Sequence, residues 1–226
     1  MVTQEIVGSV TEYKVRKVDR PVVRDFVEKW HYSGSINGVI SDYCFGLYDE
    51  GELIGAIIYG KIAMANVWKK YVDNKEDIIE LRRLCCIDDT PKNTESYFIG
   101  QTLQWLLENT LHKKVISYAD PNFGHTGIVY KATNFSMVGQ TAPGRVIRYN
   151  GDTWHDKTIR TKYKGELKPF ARKIKEALEE GRAHYEKTEG KYIYIYDLES
   201  RRSKRQEKEI KSQRFKHKNL FEEDFG

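Results

Sequence analysis

The clearest periodic signal along the chain lies at residues 44–60, CFGLYDEGELIGAIIYG. Two apolar runs there flank Asp49-Glu50-Gly51 and predict a β-hairpin. Ahead of it, TEYKVRKV (11–18) alternates and reads as a first strand. Pro21 then opens a helix through Trp30, with Val22, Val23, Phe26, Val27 and Trp30 at helical spacing. HYSGSINGV (31–39) is too polar for core and reads as a loop. IIELRRLCCI (78–87) predicts a strand, stopped by turn chemistry from Asp88 to Thr94. A helix follows from Glu95 to Leu111, with Phe98, Leu103, Leu106 and Leu107 among its apolar positions. VISYAD (115–120) is a short buried strand, PNFGHTGIVYKATNF (121–135) a loop entering a helix, and FSMVG the start of another strand. In RVIRYNGDTWHDKTIR (145–160), Asn150-Gly151 between two strand-like runs predicts a second hairpin. Residues 166–187 predict one helix, with Leu167, Phe170, Ile174 and Leu178 on one face, and KYIYIYDL (191–198) a terminal strand. The order predicts one α/β (α+β) domain with a mixed sheet over residues 1–198. From 199 to 226 the chain is charged and poor in apolar residues, which predicts a flexible tail, a frayed helix or disorder ending in the acidic-aromatic patch NLFEEDFG.

Composition changes this picture in one respect. The chain has 226 residues, 39% of them hydrophobic and 12% aromatic, enough for a real core. The net charge is only +5, but it is unevenly placed. From Lys157 to Lys175 there are eight Lys/Arg against one acid, and from Arg201 to Lys218 nine against two. Such segregation points to a polyanionic partner met by the C-terminal third. Three cysteines without framework spacing (Cys44, Cys85, Cys86) fit a reducing compartment. MVTQEIVGSV does not resemble a signal peptide, and no run approaches a membrane span. The expectation is a soluble protein of a cell's cytoplasm.

The candidate chemistry lies between Glu80 and Gly139, which reads strand, loop, helix, strand, loop, helix, strand. Ligands of open α/β sheets bind beyond the carboxyl ends of strands, and two polar clusters fall there. In the first, Asn93, Thr94 and Ser96 suit a helix N-terminus with Lys92 just upstream. Taken alone this reads first as an ordinary cap, and otherwise as an anion site for a cofactor phosphate. In the second, Asp120 follows a buried strand beside Pro121-Asn122-Phe123-Gly124-His125, where an acid can accept a proton or orient an amine, or simply start a turn.

Four stretches together resemble the Mom family of phage DNA-modification proteins: WHYSG, ELRRL, DDTPKNTESYFIGQTLQWL and ISYADPNFGHTGIVYKATNF. That family is a divergent branch of the GNAT acyltransferase fold. The resemblance implies a mixed, splayed central sheet flanked by helices, and a CoA-type cofactor between two central strands, most simply acetyl-CoA. It implies conversion of adenine in DNA to its N6-carbamoylmethyl form, which protects phage DNA from restriction. By position it implies His31, Tyr32, Arg83, Asp120 and Tyr130 as catalytic residues, with Lys92, Asn93, Thr94 and Ser96 against the cofactor. Asp120 would take a proton from the adenine amine or hold it, Tyr130 would protonate a leaving thiolate, and Arg83 would pair with Asp120 or a phosphate. Arg82 and Arg83, adjacent on a strand, are expected on opposite faces. The sequence departs from ordinary GNAT enzymes at Asp88–Glu95, where their pyrophosphate loop is glycine-rich and this one has no glycine. A metal requirement has been proposed for the family, but His31, Asp120, His125 and His155 show no ligand spacing, so no metal site is assigned.

Reaching adenine N6 requires a flipped base or a single strand. Lys157, Arg160, Lys162 and Lys164, with Trp154, Tyr163 and Phe170 interleaved or adjacent, suit phosphate contact and base stacking. Arg201, Arg202, Lys204 and Arg205 would add charge to the DNA-binding surface. The competing readings are a GNAT-type N-acetyltransferase acting on a protein or small-molecule amine, and a DNA-binding protein without enzymatic activity.

Overall fold

The computed structural model describes residues 12–64 and 66–208. The chain divides into two compact units. The larger comprises residues 1–118, 127–137 and 194–226, and the smaller residues 119–126 and 138–193.

The larger unit is built on a sheet of order β1-β2-β3-β4-β5-β12-β6. Strands β1 (Lys14–Val18), β2 (Tyr43–Asp49), β3 (Glu52–Gly60) and β4 (Ile78–Cys86) form an antiparallel meander. The β2–β3 hairpin closes where expected, with Glu50 and Gly51 both at positive φ, the backbone a tight two-residue turn demands. Strand β5 (Lys114–Ala119) joins β4 in parallel, and the outer strands are β12 (Tyr192–Asp197) and β6 (Ser136–Gln140). Helix α1 (Arg20–Trp30) covers one face through Val23, Phe26 and Val27, packed on Cys44, Ala56, Ile58 and Cys85. On the other face, helix α2 (Thr94–Asn109) buries Phe98, Ile99, Leu103 and Leu106. There Tyr59 and Thr102 share a buried 2.8 Å hydrogen bond, and Phe45 meets Trp105 edge-on. The fold is thus a mixed sheet flanked by helices, as expected, with Cys44 and Cys85 as buried packing.

The smaller unit is essentially the connection between β6 and β12, which are neighbours in the sheet. It holds a three-stranded sheet of order β11-β7-β8: β7 (Gly144–Tyr149), β8 (Asp152–His155) and β11 (His184–Thr188). A two-stranded piece, β9 (Lys162–Tyr163) with β10 (Glu166–Leu167), lies between them in sequence. Helix α4 (Pro169–Glu179) buries Ala171, Ile174 and Ala177, and Ile147 and Tyr149 of β7 join the same core. The single helix expected over 166–187 is corrected here. Gly181, at φ 74, takes the left-handed conformation that ends helices, and residues 184–188 pair with β7 instead.

Of the segment expected as a frayed helix or disorder, residues 198–208 form a helix, α5, and those beyond, including NLFEEDFG, lie outside the described residues. Arg202 of α5 donates to the carbonyls of Leu106, Leu107, Thr110 and His112, around the last turn of α2 and just beyond it. A helix C-terminus leaves its last carbonyls unpaired and partly negative, so a guanidinium there satisfies several at once. Arg202→Ala is expected to lower stability by about 2 kcal/mol, whereas Lys204→Ala, on an exposed face, changes it by less than about 0.5 kcal/mol. Urea unfolding followed by circular dichroism measures both.

Candidate functional site

Strands β4 and β5 pair only through Ile78–Lys114, Ile79–Val115 and Glu80–Ile116. β4 continues to Cys86 and β5 to Ala119, so beyond Glu80 the two strands part. Ser117 Oγ donates to the Leu81 carbonyl across the opening at 3.2 Å. This gap, beyond the last paired residues of two parallel strands, is the candidate site of the larger unit.

Tyr130 stands beside it. It sits on the short helix α3 (Ile128–Ala132), whose N-cap is Gly127 at φ 76. A Cβ at Gly127 would overlap the Tyr194 ring, so glycine is needed twice over there. Tyr130 is buried and hydrogen-bonds Ser117. Burial pushes its phenol up to about 12, and the negative charges of Glu95 and Glu80 add to this. At neutral pH it therefore carries its proton.

A bulge shapes the β4 side. Tyr59 pairs with Leu81 but Ile58 with Arg83, so Arg82 is an extra residue. The bulge breaks the strict alternation expected for Arg82 and Arg83. Arg83 reaches the Ser35 carbonyl with Nε and Nη2, both at 3.3 Å, and the Arg82 carbonyl with Nη1 at 2.7 Å. It thereby ties the 31–39 loop to β4. Tyr32 lies close enough to both Arg83 and Tyr130 to influence their ionisation, and His31 stacks on Tyr32 with centroids 4.3 Å apart. The structure thus brings together Tyr32, Arg83 and Tyr130, with His31 beside them.

Two residues at this gap were not singled out from sequence. Glu80 is 6% exposed, accepts from the Ala63 N–H at 2.8 Å and lies 3.4 Å from Arg82 Nε. The Tyr118 hydroxyl is buried without a hydrogen-bond partner, and burial, helped by the charge of Glu80, raises its pKa. A Glu and a Tyr inside strand-like runs read as ordinary strand residues, so the sequence carried little signal for either.

Asp120 belongs to the smaller unit and is 6% exposed. Its Oδ2 meets Lys191 Nζ at 2.8 Å, and its Oδ1 accepts from the N–H and the Nδ2 of Asn122. Asn122 in turn bonds the backbone of Glu189 in both directions, stapling the 120–124 turn to the β11–β12 connection. Burial alone would raise the Asp120 carboxyl, but Lys191 and Asn122 outweigh it and hold it below 3.8. Asp120 is therefore ionised at neutral pH and weakly basic.

At the helix start, Thr94 is buried and its hydroxyl donates to the Pro91 carbonyl, while the Ser96 hydroxyl donates to that of Asn93. Asn93, at φ 74, makes no side-chain cap. Lys92 is the one cation in a stretch that also carries Asp88, Asp89 and Glu95.

Of the expected DNA contacts, Lys157, Lys162 and Lys164 are exposed, and Arg160 is exposed while pairing with Asp156 at 3.2 Å. Arg201 lies over the Tyr196 ring and Lys204 is exposed. Arg202 is corrected: its guanidinium is committed to α2. Arg205 pairs with Glu108 at 3.1 Å. Among the described residues, no three His, Cys, Asp or Glu gather as a metal-holding group, and no helix is long and apolar enough to cross a membrane.

The sequence model of the Mom protein family matches residues 12–216. The chain belongs to the Mom protein family. One similar relative is the methylcarbamoylase Mom of Escherichia phage Mu, 29% identical over 161 residues, a match that covers 69% of this chain and 65% of that one. The chain thus spans a little under two thirds of that relative's length. Among solved structures, Arabidopsis thaliana NAA60 in complex with acetyl-CoA is similar at TM-score 0.48 and 10% identity, over 82% of this chain and 98% of that one. The Escherichia coli ribosomal-protein-S18-alanine N-acetyltransferase is similar at TM-score 0.45 and 10% identity, over 82% and 94%. Likenesses at this level say nothing about donor or substrate.

The Asp120–Lys191 pair gives a test with a definite sign. Asp120's folded pKa is depressed, so the pair's contribution is full above 3.8 and is lost as pH falls through the lower folded value. Lys191 is half exposed, which limits the contribution to about 1 kcal/mol. Lys191→Met is expected to be less stable than wild type by that amount at pH 6, the gap shrinking as the pH is taken below 3.8. Urea midpoints across that range decide it.

Proposed function

We propose that this Mom family member is a transferase that modifies the N6 position of adenine in phage DNA, through a carbamoylmethyl-type change that shields the DNA from host restriction. The observation that carries the reading is the family match across residues 12–216, together with a relative named as a methylcarbamoylase. The arrangement of the named residues supports it. Tyr130, protonated at neutral pH beside the β4–β5 gap, is suited to donate a hydrogen bond to charge building on a leaving group. Arg83 and Tyr32 flank it and can orient the group being transferred.

The adenine amine is a poor nucleophile because its lone pair is delocalised into the ring. Asp120 is too weak a base to keep its proton, and its role is to accept a hydrogen bond that aims the amine. The resemblance implies an acyl-CoA-type donor, but acyl transfer joins N6 to a carbonyl carbon, whereas a carbamoylmethyl group is joined through its CH2, so the donor is defined by the group transferred. DNA is the partner, drawn by Lys157, Arg160, Lys162 and Lys164, with Arg201 and Lys204 adding charge.

Mass spectrometry of nucleosides from DNA of cells expressing the chain is expected to show a new adenine adduct. Tyr130→Phe is expected to reduce it by about a hundredfold, with the fold intact by circular dichroism. Unchanged nucleosides with newly acetylated cellular protein would replace this reading with a protein N-acetyltransferase.

A further inference from the structure

The smaller unit carries 13 Lys/Arg against nine Asp/Glu, so this quarter of the chain holds +4 of the net +5. One face of its three-stranded sheet is buried by α4. The opposite face forms the floor of a cleft of about 1210 Å³ that lies wholly within the unit. The register sets the floor. Gly144 stands opposite Thr188, Val146 between Glu186 and His155, and Arg148 between His184 and Thr153. The centre of this floor is low and flat: a Cβ at Gly144 would come within 3.0 Å of Thr188 Oγ1. Arg148 is held down by a two-pronged pair with Glu186, at 2.7 and 3.0 Å. Asp120, Asn122 and Phe123 make one wall, and Thr141, Ala142 and Pro143 another.

The charge within the cleft differs from that of its unit. On the floor Arg148 pairs with Glu186, and on the wall Lys191 pairs with Asp120, so these charges are matched, while Arg145 and Lys187 alternate onto the other face. The surplus positive charge lies outside, mainly from Lys157 to Lys175. A phosphate backbone is therefore drawn to the unit, while the cleft suits a flat group without net charge. The cleft also exceeds the ~300–1,000 Å³ of an ordinary small-ligand pocket, which leaves room for a nucleotide still joined to its strand. Phe123, 56% exposed on the wall, offers a stacking face. Asp120 offers an acceptor for an exocyclic amino group.

We infer that this cleft receives a single unpaired nucleobase of a DNA strand, held between the Gly144–Val146 floor and Phe123. The inference rests on the reading of the chain as a DNA adenine-modifying transferase and names the part of the molecule that takes the base. An extruded base gives up its pairing and stacking, and a closely shaped slot with a stacking partner offsets that cost.

Two short duplexes test it, each with a central 2-aminopurine, one opposite thymine and one opposite an abasic site. Wild-type full-length chain is expected to bind the abasic-opposed duplex about tenfold more tightly, because no pair has to be broken, with a change in 2-aminopurine emission. Val146→Glu, which places a charge on the floor, and Phe123→Ala are each expected to bring that ratio to about one. Affinity for the fully paired duplex should remain within about twofold. If Val146→Glu does not fold, Phe123→Ala decides. A wild-type ratio of one, or a preference that survives in the folded variants, overturns the inference. Nucleoside analysis run alongside separates the two claims: an adenine adduct with a ratio of one sinks the cleft alone, and a tenfold preference with no adduct sinks the enzymatic reading alone.

Discussion

The parting of β4 and β5 after three paired residues is the constraint on which the larger unit depends. Parallel strands that separate leave main-chain groups without ladder partners, and such groups cannot stay buried and unpaired. The structure meets this with side chains. Ser117 bonds the Leu81 carbonyl and Arg83 the Arg82 carbonyl, both on β4, while Glu80, Arg82 and Arg83 also hold Ala63, Lys61 and Ser35 of neighbouring segments. Those same side chains make the edges of the gap polar. The bulge at Arg82 follows from the same need, since an extra residue lets β4 keep pairing with β3 while it leaves β5. Tyr130 then adds a phenol whose proton is fixed by burial.

The smaller unit is added without altering the larger unit's sheet. β6 and β12 are neighbours, and the residues between them fold on their own core of Ile147, Tyr149, Ile174, Ala177 and Ala183. Because that connection packs its own apolar residues, its surface is free to carry charge. The result is a near-neutral larger unit and a basic insertion.

Much of the larger unit was legible from sequence because its signals are local. The hairpin at 44–60 carries both its alternation and its turn, and α1 begins at its proline. The helix drawn across 166–187 failed for an equally local reason. The apolar stripe ends at Leu178 and Gly181 stops the helix, but HYEKT shows no strand pattern until β7 pairs with it. Non-local contacts were out of reach. Nothing in RRSKR distinguishes Arg202, which closes on α2 some 90 residues back, from Lys204, which is exposed to solvent. In the same way Lys191 looked like any strand-start lysine, yet it sets the ionisation of Asp120 from 71 residues away in sequence. The catalytic assignments came from matching residue runs. The structure supplied the states of those residues: Asp120 ionised, Tyr130 protonated, Arg83 tied to a loop.

Those states narrow the chemistry. A carboxylate held below 3.8 and a phenol pushed up to about 12 both keep one form across the whole physiological range. Neither can shuttle a proton back and forth near neutrality, as a histidine-based site does. On the proposed function the work left to them is directional: Asp120 would fix an amine by accepting from it, and Tyr130 would donate a hydrogen bond to charge building on a leaving group. A weak nucleophile such as an aromatic amine gains most from this arrangement, since it acquires an acidic proton only as the new bond forms. That proton can then depart to water after bond formation. Positioning, more than acid–base strength, is what this structure is built to supply.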